Sequence, residues 1–230
     1  MIMFCLPGAS CTRFNRNSWT ALVQYMEKNN IEYDFVDFYS SDMYMCRNEI
    51  LRQDDPIPWP DVVPFKGREY DFTFWIDSDQ FYHPFQVLRL LEHDVDIVSG
   101  ITPTGFSGKA PAGYFAFSEE GRPKLQYFHV AHIEDNELVD ERGLIEVDFV
   151  GFGFICIKRG VFEKMGYPWF KSTYYDHGGQ PMNCAEDVGW CVRARELGFK
   201  VYVDTKCKIG HEKTIPLSFE KGKYVYRTRA

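Results

Sequence analysis

The sequence predicts an α/β fold built on a mixed, mostly parallel sheet with helices on both faces. Two observations carry the prediction. Strand-like and helix-like patterns alternate through the first hundred residues, the arrangement that gives parallel strands joined by crossover helices. The second half instead holds short strand-like segments joined by turns, then one helix and one further strand, which adds antiparallel pairing. Ligands of such a sheet sit beyond the carboxyl ends of its strands.

Each element has a local reason. MIMFCL is a short apolar run that reads as a buried strand. Trp19 to Lys28 has apolar residues at helical spacing behind Asn17 or Ser18 as a cap. IEYDFVDFY alternates like a strand, and Met43 to Arg52 is helical in pattern. The proline-rich RQDDPIPWPDVVP cannot hold regular structure. FTFWID is the next strand, Pro84 to Glu92 a helix opened by proline, and DIVSGIT another strand. AGYFAF, KLQYFHV, LIEVDFV and FGFICIKR read as further strands, Ala185 to Leu197 as a helix and KVYVDT as the last strand. No repeat or low-complexity segment interrupts them.

Length and composition set limits. A chain of 230 residues, 45% hydrophobic, can bury one substantial core, so a single domain over 1–230 is expected. Its net charge of −7 excludes a nucleic-acid backbone as partner, because neutralising phosphates takes a surplus of lysine and arginine. MIMFCLPG is too short for a signal or a span, and no later apolar run is long enough to cross a bilayer, so a cytoplasmic protein is expected. The seven cysteines include no Cys-x-x-Cys pair, which favours reduced thiols over a disulfide framework or a zinc knuckle.

The chemistry concentrates in FTFWIDSDQFYHP. In an extended segment Asp77 and Asp79 project to the same side, and a cation would relieve their repulsion. An isolated Asp-x-Asp is more often a helix cap beside a solvated charge. Here it ends a central apolar strand, which shifts the balance toward a metal such as Mn2+ or Mg2+ with diphosphate oxygens completing the shell. Glu186-Asp187 opens a helix, where acids serve either as plain caps or as functional groups held at a positive helix end. Gly151 and Gly153 remove side chains where a strand could pass a sugar, or mark a bulge. Lys109 is a weaker phosphate or acceptor candidate, and Trp169, Tyr174 and Tyr175 form an aromatic group suited to stacking on a sugar or to ordinary packing.

Taken in order, these segments resemble the GT-A fold (Rossmann-like) nucleotide-sugar-dependent glycosyltransferases, and in particular short enzymes of large DNA viruses of algae. The carriers are MIMFCLPGAS, Tyr44-Met45-Cys46-Arg47-Asn48, Trp75-Ile76-Asp77-Ser78-Asp79, Phe149-Val150-Gly151-Phe152-Gly153-Phe154, Ala185-Glu186-Asp187 and Gly210-His211. The resemblance implies that Pro7, Gly8, Ser10, Tyr39, Ser40, Arg47, Asp77, Ser78, Gly151 and Gly153 contact the nucleotide-sugar. It implies that Asp79 and His211, with Asp77, hold a divalent metal, that Asp187 is the base, and that Glu186 orients the acceptor. The partners implied are a UDP-sugar and a glycan or glycoprotein acceptor, a capsid glycan in the host cytoplasm if the source is viral. Two alternatives stay open. A nucleotidyltransferase would use similar acids but a glycine-rich basic loop after the first strand, where PGASCTRF has only Arg13. A non-catalytic sugar-binding module would have no need of this full set of acids and histidine.

Overall fold

The computed structural model describes residues 1–58, 60–104, 108–213, 217–220 and 223–226. In chain order the first half comprises β1 (Ile2–Pro7), α1 (Arg13–Lys28), β2 (Tyr33–Phe38), α2 (Met43–Arg52), β3 (Phe72–Ile76), β4 (Gln80–Phe81), α3 (Pro84–Glu92) and β5 (Ile97–Ile101). The second half comprises β6 (Lys109–Phe117), β7 (Pro123–His129), β8 (Leu144–Val147), β9 (Phe149–Val150), β10 (Phe154–Lys158), α4 (Val161–Met165), β11 (Thr173–His177), β12 (Gln180–Cys184), α5 (Glu186–Glu196), β13 (Val201–Lys208) and β14 (Gly210–His211). A backbone hairpin of β15 (Leu217–Glu220) and β16 (Lys223–Tyr226) follows.

The central sheet has the order β2-β1-β3-β10-β5-β13-β8. Strands β2, β1, β3, β5 and β13 share one direction, while β10 and β8 oppose it. The sheet is therefore mixed and mostly parallel, as the two halves of the sequence predict. Period-2 alternation sorts its side chains between two cores. Ile2, Phe4, Phe74 and Ile76 face α1 and α3, meeting Leu22, Met26, Val87 and Leu90. Met3, Cys5 and Trp75 face the other way, meeting Cys46 and Ile50 of α2 and Val188 and Trp190 of α5. A smaller sheet, β7-β6-β9, and the β11-β12 hairpin lie beside the second core. All seven cysteines are free, and six are buried.

Helix α1 departs from expectation. It starts at Arg13 rather than Trp19, and Thr12 caps it by accepting from the Asn15 amide at 3.2 Å. The polar first turns hide the apolar period, and the predicted cap Ser18 is an interior helix residue whose hydroxyl accepts from the Tyr82 amide. The β11-β12 hairpin was signalled by Gly178-Gly179, since both take positive φ, +63° and +81°, in a two-residue turn. Trp169 is fully buried with its indole N–H on the Phe162 carbonyl, so it is core rather than a sugar platform.

Candidate active site

The ends of β1 and β3 form the floor of the site. Gly8, at φ +141°, follows β1, and a Cβ there would come within 3.1 Å of Ser78 Oγ, so only glycine lets the two turns approach. Pro7, Gly8, Ser10 and Ser78, together with Asn15 and Asp37, line a cavity of about 260 Å³. Tyr39 projects outward at 62% exposure, and Ser40 accepts from the Asp42 amide at the start of α2.

The Asp-x-Asp turn is held mainly through its backbone. Asn15, buried on α1, donates to the carbonyls of Asp77 (3.2 Å) and Gln80 (2.7 Å). The Asp77 amide donates to the Gly153 carbonyl, the Thr12 amide to the Ser78 carbonyl and the Glu212 amide to the Asp79 carbonyl. A Cβ on Gly153 would sit 3.2 Å from Gln80 Nε2 and 3.4 Å from Asp77 Oδ2, and one on Gly151 would sit 3.0 Å from Pro111 and 3.7 Å from Asp187 Oδ2. Gly153 therefore makes room for Gln80 and Gly151 for Pro111, with the acids at ordinary van der Waals distance. Asn15, Gln80 and Lys213 are site residues that sequence reasoning missed, because none belongs to a motif.

The two aspartates are in different states. Short strand β14 pairs with β4, which sets His211 opposite Gln80 and brings His211 Nε2 to 2.8 Å from Asp79 Oδ2. Lys213 Nζ lies 3.0 Å from the same oxygen. Burial opposes the Asp79 charge, but hydrogen bonds from His211 and Lys213 outweigh it and hold the carboxyl at about 2. Burial likewise opposes charge on His211, and the hydrogen bonds to Asp79 and the Pro103 carbonyl together with the Asp79 charge outweigh it, so the imidazole is raised. Nδ1 donates to the Pro103 carbonyl at 2.9 Å, and Nε2 lies in hydrogen-bond reach of Asp79. Asp77 is raised, first by burial and then by Asp79, with Arg47 pulling the other way. Its side chain is 32% exposed overall, yet Oδ1 is fully covered and accepts no hydrogen bond.

The second acidic pair opens α5. Asp187 Oδ1 accepts from the Val188 amide at 2.7 Å. Burial and then the neighbouring Glu186 charge raise the Asp187 carboxyl, against the pull of Arg47. Arg47, 3% exposed on α2, lies 3.2 Å from Glu186 Oε1 and 3.8 Å from Asp77 Oδ1, with its guanidinium 4.8 Å above the Phe152 ring. It thus touches one member of each acidic pair. Next to it, Asn48 exchanges hydrogen bonds with the Phe170 backbone, fixing α2 against the segment that precedes β11.

No protein-family model matches this sequence, and no curated protein matches it either. Solved structures do. The chain superposes on A197 from STIV with a TM-score of 0.52 at 18% identity, covering 100% of this chain and 95% of that one. It superposes with the same TM-score on GalNAc-T7, solved with UDP, GalNAc and Mn2+, at 9% identity over 91% of this chain and 42% of that one. The chain thus spans less than half the length of GalNAc-T7.

The chain has the GT-A fold. Within that fold the segments singled out in the sequence converge at one edge: the β1 turn, the Asp-x-Asp turn, the start of α5 and β14. Among the described residues no three His, Cys, Asp or Glu side chains come together as a metal centre. Asp79 and His211 do meet, while Asp77 is engaged with Arg47 instead. A carboxylate oxygen and an imidazole nitrogen are donors suited to a cation of the Mn2+ or Mg2+ class, which would have to enter at the point where Asp79 Oδ2 and His211 Nε2 bond each other and displace the Lys213 ammonium. The Nδ1–H bond to Pro103 orients the ring so that Nε2 faces that point. Lys109 lies on β6 with its ammonium 5.7 Å from the Tyr127 ring, and Tyr175 is stacked on Phe115 at 4.2 Å. Tyr174 remains 72% exposed. Among the other histidines, His83 caps α3 and His93 bonds buried Asp204 at 2.8 Å. Among the described residues no helix is long and apolar enough to cross a membrane.

Proposed function

We propose that this chain is a single-domain, metal-dependent glycosyltransferase that moves a sugar from a nucleotide-sugar, a UDP-hexose by preference, to a hydroxyl of a glycan or glycoprotein. The observation that supports this best is the convergence of two acidic pairs, from the end of β3 and the start of α5, on the buried Arg47 guanidinium. The pairs differ in the way the reaction needs. Asp79, held ionised, and His211 would bind the metal, which neutralises charge growing on the departing diphosphate. Asp187, with its raised carboxyl, would accept the proton of the acceptor hydroxyl as that oxygen attacks the anomeric carbon from the face opposite the diphosphate. One displacement of this kind inverts the anomeric configuration. Glu186 would orient the acceptor, and the cavity beneath Pro7, Gly8, Ser10 and Ser78 would take the nucleotide.

A thermal-shift screen of nucleotide-sugars with and without Mn2+ tests this. A ligand at a hundred times its Kd stabilises by about 2.7 kcal/mol, so a Mn2+-dependent rise with UDP or a UDP-sugar is expected. Donor hydrolysis assayed alongside separates the alternatives. Consumption of a nucleoside triphosphate with release of pyrophosphate would mark a nucleotidyltransferase, and turnover of neither substrate class would mark a binding module.

A further inference from the structure

We infer that Arg47 is a positioning residue, a buried charge strut between the Asp-x-Asp turn and the Glu186-Asp187 helix start, and that it serves turnover rather than nucleotide affinity. The inference rests on the proposed glycosyltransferase function, and it departs from the nucleotide contact that the family resemblance implies for this arginine. The guanidinium is enclosed on every side, although Nε is buried without a hydrogen-bond partner. Its side chain is 4% exposed, Nη1 engages Glu186 and Nη2 faces Asp77, and the Phe152 and Phe170 rings lie 4.8 and 5.7 Å from Cζ. A cation so enclosed has no solvent-facing donor with which to grip a diphosphate.

Its absence would leave a cluster of acids without their buried counter-charge. Asp77 and Glu186, each paired with Arg47 in the structure, and Asp187 next to Glu186 would then be left to repel one another. Residue by residue, the strut is assembled from separate elements. Arg47 comes from α2, Asp77 from the end of β3, and Glu186 from the first turn of α5. The Asn48–Phe170 pair anchors the helix that carries Arg47. Arg47 thereby adds a direct side-chain link between the backbone-braced Asp-x-Asp turn and the start of α5, and small displacements of reacting groups are costly to rate.

The test is a double-mutant cycle with Arg47→Met, Glu186→Gln and the double variant. Met keeps an unbranched side chain against Phe152 and removes the charge. The readouts are UDP affinity in the presence of Mn2+, by calorimetry, and kcat and KM for the best donor sugar, with water or acceptor. Arg47→Met is expected to change UDP affinity by less than about 3-fold and to lower kcat by about 30-fold or more. In donor hydrolysis, where water replaces the acceptor that Glu186 would orient, adding Glu186→Gln to it is expected to recover about 10-fold of kcat, because the excess negative charge is removed, a coupling in the range known for contacting residues. A loss of UDP affinity as large as the loss of kcat would overturn the inference in favour of a direct nucleotide contact, and strictly additive losses would overturn it as well. If Arg47→Met fails to fold, Arg47→Lys takes its place. Lys retains the charge but cannot fork across two carboxylates, so kcat should fall with UDP affinity kept, and an unchanged kcat would overturn the strut. Failure of the wild-type protein itself to bind UDP or any nucleotide-sugar would sink the proposed function and this inference together, an outcome distinct from a strut that fails while wild type binds normally.

Discussion

Asp79 and Asp187 are chemically identical side chains in the two acidic pairs that Arg47 joins, and their surroundings drive them in opposite directions. Asp79 pairs with His211 and Lys213 and is held at about 2, whereas Asp187 accepts a single backbone amide, has Glu186 beside it and is raised. Partners rather than residue type decide which carboxylate is held as an anion and which is shifted toward keeping its proton. The contrast also follows the architecture. The first pair belongs to a backbone-braced turn in the parallel half of the sheet, and the second to a helix start covered by the smaller sheet and hairpin.

The largest expected effect comes from breaking the second side. Asp187→Asn should lower transfer by about a hundred- to ten-thousand-fold, the usual worth of a general base, while Mn2+-dependent UDP affinity by calorimetry stays within error. Retained transfer would move the base to Glu186 or imply a retaining reaction. The same substitution sharpens the comparison through stability. A carboxyl raised on folding is stabilised by its proton, so stability falls as pH rises from the unfolded value through the folded one and stays lower above it. Asp187→Asn, which removes the charge, should therefore raise the Tm at pH 7.5, and a lowered Tm would contradict the sign of the shift. For the wild type, the transfer rate should rise with pH through a midpoint above the ordinary carboxylate range of about 4, a limb the Asn variant lacks.

Breaking the first side should cost binding instead. Asp79→Ala should weaken Mn2+-dependent UDP affinity by about 10-fold or more, and by more than Asp77→Ala, because Asp79 and not Asp77 meets His211. Equal and negligible losses would remove both from the site, as would unchanged UDP affinity in excess EDTA. Asn15→Ala probes the brace beneath. It removes two hydrogen bonds beneath the turn, although the Asp77 carbonyl keeps the Gln80 amide, so a loss of about 1–3 kcal/mol in chemical unfolding is expected, with weaker UDP binding. The smallest effect belongs to Tyr174→Ala. At 72% exposure its stability change should lie within about 0.5 kcal/mol, so a raised acceptor KM without a change in Tm would mark it as an acceptor contact.

What the sequence by itself determined is local and periodic. Alternation in β1 and β3, the proline opening α3 and the apolar spacing of α2 are set by residues within a few positions of one another, and α2 and α3 match their predicted bounds, Met43–Arg52 and Pro84–Glu92. The acids of the two pairs were legible for the same reason, as charges that end an apolar strand or open a helix. The start of α1 was not, because its first turns are polar for a tertiary purpose: Asn15 and Ser18 face inward to hold the backbone at Asp77, Gln80 and Tyr82. Only the tertiary structure decided which acid meets which cation. Lys213 and His211 reach Asp79 through the β14–β4 pairing, and Arg47 reaches Glu186 across 139 residues of chain. Contacts of that range leave no period or spacing in the sequence, since they depend on where separate strands and helices end once the sheet has formed. A pKa is the sum of such contacts, which is why two aspartates indistinguishable on paper are shifted in opposite directions.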